Sequence, residues 1–152
     1  MFDLFKKKKT FFTEAEKKQI AEAIGSCEQC TSGEIRVFVE NRCSYMDAID
    51  RAVELFFRLG MDKTSQRNGV LVYIAMKDHQ LAVYGDVGIH QKVGTEYWNN
   101  VVAEMIRDFN RDNYAEGISH CVEKIGKTLQ KNFPYDRNTD KNELSNDITF
   151  GD

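Results

Sequence analysis

Apolar and polar positions change period along this chain, and the changes mark out its elements. From Thr13 the pattern is helical: Thr13-Glu14-Ala15-Glu16 reads as a capping box, and Ile20, Ile24, Cys27 and Thr31 follow at helical spacing. This predicts a helix over about 13–30, ended by Ser32-Gly33. The period then drops to two. Ile35, Val37 and Val39 alternate with Arg36, Phe38 and Glu40, as in a half-buried strand. Ser44 and Asp47 open a second helix with an apolar stripe at Met46, Ile49, Val53, Phe56 and Phe57, and Gly60 stops it. After the loop MDKTSQRNG, the run VLVYIAM (Val70–Met76) shows no alternation, which fits a central strand covered on both faces. Lys77-Asp78-His79 turns the chain into a third strand, Gln80–Tyr84, closing an antiparallel hairpin. Two more helical stripes follow, Trp98, Val101, Val102, Met105, Ile106 and Phe109, then Ile118, Cys121, Val122, Ile125 and Leu129.

Strand, helix, strand, hairpin and flanking helices make an α/β protein. The expected form is a three-layer α/β/α sandwich around a small mixed sheet of three to four strands, with about four helices. A helical crossover makes the first two strands parallel. A small fourth strand is anticipated within 41–45 or 87–93. The 152 residues suit one domain. Its expected bounds are 12–134, between a basic N-terminal tail (1–11) and an acidic, loosely held C-terminal tail (135–152).

Charge and composition narrow the partners. A net charge of -3 argues against a nucleic-acid binder, which shows a basic face. No apolar run approaches the roughly 20 residues a membrane span needs. Lys6–Lys9 follow only a short apolar start and precede a helix-like segment, the reverse of a secretory signal. The expectation is a cytoplasmic protein, a monomer with reduced cysteines.

The stretch CTSGEIR, Cys30 to Arg36, has the cysteine-to-arginine spacing of a phosphatase phosphate loop, and CEQC (Cys27–Cys30) the spacing of a redox or zinc pair. Neither context fits. A phosphate loop runs from a strand end into a helix, whereas here the cysteine follows a helix and Arg36 lies in a strand beyond Glu34. Redox pairs sit at a helix N-terminus, where the thiol pKa falls; these two sit near a C-terminus. Zinc would need two more ligands, and Cys43 and Cys121 are isolated. Cys27 and Cys121 therefore read as small core hydrophobes.

Polar residues converge on one rim of the expected sheet. The start of the first strand brings Ser32, Gly33 and Glu34; the start of the second, Asn68-Gly69; the end of the third, Gly85-Asp86. Asp62 and Thr64 lie in the loop before the second strand, and His90 in GDVGIH. Carboxylates with amide and backbone oxygens on glycine-flexed loops suit a hard cation. The bland reading makes Asp86 and Asn68 turn residues and Glu34 a solvated side chain. A second rim, carrying Glu40, Asn41, Asp78 and His79, occupies the carboxyl ends of the parallel strands, where open α/β sheets bind ligands. It ranks second, because a hairpin turn accounts for it.

Taken together, TSGEIRV (Thr31–Val37), LGMDKT and RNGVLVYIA (Leu59–Thr64, Arg67–Ala75), YGDVGIHQKVG (Tyr84–Gly94), Trp98 with its helix, and Phe133-Pro134 followed by Asn142–Leu144 resemble the TPM domain family. That family is named for a thylakoid lumen protein, a photosystem II repair protein and a levamisole-receptor modulator. The resemblance spans roughly residues 12 to 150. It implies an α/β/α sandwich and divalent-cation binding by loops at one edge, carried over here to Glu34, Asp62, Asn68 and Asp86 as ligands, with Ca²⁺ first and Mg²⁺ second. Ser32, Gly33, Thr64, Gly85 and His90 would complete the rim. It also implies an acid phosphatase, as described for plant members. Many members carry a signal peptide and a membrane anchor; neither is seen here, which points to a stand-alone, cytoplasmic, bacterial form.

Two functions follow. One is a cation-binding module that stiffens its loops and presents a surface to a protein partner. The other is a metal-dependent phosphomonoesterase acting on a phosphorylated small molecule. There the ion's water would attack, Arg36 or Arg67 would balance charge, and His90 would serve as general acid. The module asks less of the residues.

Overall fold

The computed structural model describes residues 11–135 and 148–151. The basic Lys6–Lys9 patch, the motif at Asn142–Leu144 and most of the acidic tail lie outside the described residues. The elements run α1 (Glu14–Glu28), β1 (Glu34–Glu40), α2 (Ala48–Arg58), a 3-10 turn (Met61–Lys63), β2 (Gly69–Ala75), β3 (Gln80–Gly85), α3 (Val87–Val93), α4 (Thr95–Phe109), α5 (Tyr114–Asn132) and β4 (Thr149–Phe150).

Local chemistry explains most boundaries. Thr13 and Glu16 form the capping box on α1, each side chain bonding the other's backbone N–H, at 3.1 and 2.9 Å. α2 ends where Gly60 takes a left-handed φ of +73°, a conformation that costs glycine little. Asp86 caps α3, accepting from the Val87 N–H at 2.8 Å.

The sheet order is β3-β2-β1-β4. β1 and β2 are parallel, with Glu34 opposite Gly69; β2 and β3 are antiparallel, with Val70 opposite Gly85. The mixed sheet and its flanking helices are the α/β sandwich that the periodicities predict. Two details differ. The fourth strand is neither at 41–45 nor at 87–93: residues 87–93 are a helix, α3, which makes five helices among the described residues where about four were expected, and β4 comes from residues 149–150, parallel to β1. Ser-Asn-Asp-rich sequence gives so short a strand no pattern of its own. It is held by the Gly151 N–H on the Val39 carbonyl (2.8 Å) and by Phe150 stacked on Phe11.

Alternation along the strands sorts the core into two layers. Ile35, Val37, Val39, Val70, Val72, Ile74 and Val83 face α1, α4 and α5; Phe38, Leu71, Tyr73 and Ala82 face α2. The α5 stripe is buried as expected. The α2 stripe is not: Ala52, Leu55 and Phe56 face the sheet, whereas Met46, Ile49 and Phe57 are exposed. A choice of apolar register that included Met46 and Ile49 rotates the helix by nearly a third of a turn, and the smaller Ala52 marks the true face because it lets α2 approach the sheet.

Candidate functional site

The topology brings the predicted rim residues to one end of the sheet, yet ties them to different partners. Asp86 is completely buried, and its carboxylate receives Arg67 Nε at 2.6 Å and Nη2 at 2.8 Å besides the Val87 N–H. A two-pronged guanidinium contact of this kind is among the stronger hydrogen-bonded ion pairs. Arg67 reaches it from a left-handed backbone, φ +52°, an uncommon state for a side-chain-bearing residue. The loop is pinned further where Gly88 donates to the Arg67 carbonyl at 2.8 Å; a β-carbon on Gly88 would overlap the Gln66 carbonyl oxygen. A cation at Asp86 would have to displace Arg67.

Asn68 is held from three sides. Its N–H donates to Thr64 Oγ1 at 3.1 Å, its Nδ2 to Ser32 Oγ at 3.2 Å, and its backbone carbonyl accepts from the Glu34 N–H at 3.4 Å. Gln66 Nε2 also donates to Ser32 Oγ, at 3.1 Å. Asn68 Oδ1 is buried with no hydrogen-bond donor among the described residues. A buried amide oxygen left in that state costs on the order of 1–3 kcal/mol. It is the kind of oxygen a bound cation satisfies.

Glu34 is buried and meets a residue the sequence reading did not include, Glu28. β4 pairs only with Phe38 and Val39, so the first half of β1 has an outer edge uncovered by a described strand. The last turn of α1 brings Glu28 over that edge, where its Oε2 accepts the Ile35 N–H at 3.3 Å. Burial, then the hydrogen bond and charge of Glu34, push the Glu28 carboxyl up to about 9, against the opposing pull of the Ile35 amide and Arg36. Two carboxyl groups pressed together hold a proton between them at neutral pH. A signal for Glu28 was present in the sequence. A glutamate in the last turn of a helix opposes the macrodipole, so its position calls for a separate reason.

Asp62 lies in the 3-10 turn, half-buried, and its charge reaches Arg67. Gly33 sits against Leu129 and the Asn68 carbonyl. Gly85 lies beside Trp98, and Thr64 is buried. His90 is exposed on α3, and its Nδ1 accepts the Trp98 indole N–H at 3.1 Å. That bond uses the Nδ1 lone pair. Among the described residues, no group of three or more aspartates, glutamates, histidines and cysteines gathers round a single point.

The other rim is saturated. Glu40, deeply buried, accepts Arg51 Nε at 2.9 Å and Nη2 at 3.0 Å, and the Tyr73 hydroxyl. Asp78 accepts the Cys43 N–H at 2.7 Å and Arg42 Nη1 at 3.1 Å. The thiols are quiet as well. Burial first, then Glu123, pushes Cys27 up to about 11, and burial pushes Cys121 up to about 12. Neither supplies a thiolate at neutral pH.

Comparisons with known proteins agree with the fold. The chain is similar to the BA42 protein from the psychrophilic bacterium Bizionia argentinensis, whose NMR structure is 39% identical, covers 95% of this chain and 99% of its own, and superposes with a TM-score of 0.87. The N-terminal domain of a Porphyromonas-type protein (P. gingivalis) shares 16% identity over 80% of this chain and 78% of its own, TM-score 0.68. An N-terminal domain from Corynebacterium glutamicum shares 13% over 78% and 74%, TM-score 0.60; likenesses so low in identity concern the fold alone. No curated protein sequence matches. The TPM domain model matches residues 6–128, four-fifths of the chain, and the chain belongs to the TPM domain family.

Proposed function

We propose that this protein is a divalent-cation-binding module, with Ca²⁺ the foremost candidate, acting by presentation of a surface to a partner and not by catalysis. The observation that carries the reading is the carboxyl pair of half-buried Glu28 and buried Glu34 at the edge of β1 that no described strand covers. A proton shared between two carboxyls occupies the place a cation takes when both ionise. Asn68 Oδ1 on the same rim, which no donor among the described residues reaches, supports it. Residues that would hold the ion are therefore Glu34 and Glu28, with Asn68 as the neutral oxygen. Asp86 contributes through its hold on Arg67, and Asp62 by charge. When bound, the ion would supply charge neutralisation and tether the loops. Arg36 offsets part of the acidic charge, so an affinity of about 10⁻⁴–10⁻³ M, that of sites with few charged ligands, is expected.

The phosphatase reading draws less from the same geometry. Arg67 is engaged by Asp86, and Nδ1 of His90 is taken up by the Trp98 indole N–H.

Titration of metal-stripped protein with Ca²⁺ and with Mg²⁺, read by backbone amide shifts and by proton release into weak buffer, tests the proposal. Saturable shifts at 28, 34–36 and 66–68 with about one proton released near pH 7 are expected. Glu34→Gln should abolish both. No saturable shift at millimolar ion, or shifts confined to 40–41 and 77–79, would sink it.

A further inference from the structure

β3 is the edge strand of the sheet, and its main chain is only half used. The Asp86 N–H donates to the Gly69 carbonyl at 2.9 Å, which sets the phase of the antiparallel ladder. By alternation, residues 80, 82 and 84 turn their N–H and C=O groups to β2, and Leu81, Val83 and Gly85 turn theirs outward. No hydrogen bond among the described residues engages those outward groups.

Such an edge normally carries a protecting charge or bulge. This one is instead sunk in a cleft of about 660 Å³. α2 packs over β3 on one face of the sheet and α4 on the other. The walls are apolar: Ile49 and Val87, 45% and 49% exposed, stand on opposite sides, with Trp98 and Val102 behind. Asp47 sits at the mouth on the α2 side; as the first cap of α2 it makes no capping hydrogen bond, and no ion pair among the described residues holds it.

We propose that this cleft binds an extended segment of a partner protein by strand addition to β3. The occupant is an extended peptide with a short apolar run, its side chains turned in alternation to the two walls, and a lysine or arginine near one end. Each feature corresponds to one in the cleft. The unpaired amides and carbonyls of Leu81, Val83 and Gly85 require a main chain in extended form. Side chains alternating across that strand would fall between Ile49 on one wall and Val87, Trp98 and Val102 on the other. The uncommitted Asp47 carboxylate selects a cation. A second copy of the chain fits poorly, because its own α2 and α4 flank its β3 and would meet the walls before the two edges came together. The cleft lies across the sheet from the uncovered edge of β1, so it does not depend on cation binding there.

The probe is a short synthetic peptide, a run of valines with a single lysine at one end, added to the full-length protein and followed by amide shifts and hydrogen exchange. Expected are saturable shifts at 47–49, 81–87 and 98–102, with slowed exchange at Leu81, Val83 and Gly85. The same peptide N-methylated at alternate amides should bind at least about tenfold more weakly, since the ladder bonds are lost. Leu81→Pro removes an outward N–H without touching the β2 ladder, and should weaken binding while leaving the fold intact. Asp47→Asn should weaken it about two- to fivefold, an effect that added salt reproduces. Equal binding of the N-methylated peptide would overturn strand addition. So would the absence of shifts at millimolar peptide, or protected edge amides in peptide-free protein that sediments as a dimer.

Discussion

The two ends of β1 carry the same kind of residue in opposite states. At one end Glu40 is buried with three donors on its two oxygens, from Arg51 and Tyr73. At the other, Glu34 is buried against a second carboxyl, Glu28. A carboxylate with its partners built in is finished: it fixes α2 to the sheet and offers nothing to a ligand. A carboxyl pair is stable only with something between them, a proton or a metal ion. The difference teaches that burial of acid does not by itself mark a site; what stands opposite the acid decides, a guanidinium at Glu40 and a second carboxyl at Glu34.

The largest effect should come from breaking the finished end. Arg51→Ala leaves Glu40 buried beside a tyrosine with no cation, and is expected to cost about 3–5 kcal/mol. Urea unfolding of the variant measures it through the shifted midpoint. A loss below about 1 kcal/mol would mean that solvent reaches Glu40 after all, and the two ends would no longer differ in kind.

The next effect belongs to the unfinished end. Ca²⁺ at about one hundred times its dissociation constant should stabilise the protein by about 2.7 kcal/mol, since it binds the folded form alone. Glu34→Gln should remove that gain, while Asp78→Asn, at the finished end, should leave it. Thermal unfolding with and without the ion reads both. Stabilisation that survives Glu34→Gln would move the ion elsewhere.

Without metal, acid and base should act on the pair in a stated direction. The folded Glu28 carboxyl titrates at about 9, against an ordinary value of 4.5. The folded state therefore holds more protons across that interval, and stability falls as pH rises through it. Its contribution is complete below pH 4.5 and lost by about pH 9. Glu28→Gln should flatten that part of the pH profile and stabilise the protein at neutral pH. Saturating Ca²⁺ should do the same to the wild type. An unchanged slope in Glu28→Gln would show that the pair is not the titrating element.

How much of this was legible in the sequence differs from element to element. Strands announced themselves: the unbroken run from Val70 gave a strand buried on both faces, and Ile35, Val37 and Val39 gave one face of β1, although the half-buried strand their alternation predicted is covered on its other face too, where Phe38 and Glu40 are buried. The capping box at Thr13 marked the start of α1 to within a residue, whereas its end, expected near 30, comes at Glu28. α2 misled, since Met46, Ile49 and Phe57 look like core and are surface. Of the three, Ile49 lines the cleft beside β3. Topology was enough to place Glu34, Asn68 and Asp86 on one rim. The partners of Asp86 and Asn68 were not readable, because Arg67 and Ser32 reach them through loop conformations that no spacing encodes, whereas Glu28 reaches Glu34 from the last turn of α1. The φ of +52° at Arg67 is the clearest case: nothing in RNG says which way the guanidinium turns.

The smallest effect sharpens the comparison from within the finished end. Arg42 and Arg51 each pair with a carboxylate there, at 3.1 and 2.9 Å. The distances are nearly equal, but Arg42 is 62% exposed against 22% for Arg51, and its partner Asp78 is also reached by solvent. Water and salt screen the exposed pair, and Asp78 keeps its bond from the Cys43 N–H whether or not Arg42 is present. Arg42→Ala should therefore cost no more than about 0.5 kcal/mol, within reach of urea titration only as a difference from wild type run in parallel. Raising ionic strength should shrink that difference further while leaving the Arg51→Ala loss in place. If the two variants instead proved equal, proximity of charge and not desolvation would govern this end, and the contrast with Glu28 and Glu34 would have to rest on sign alone.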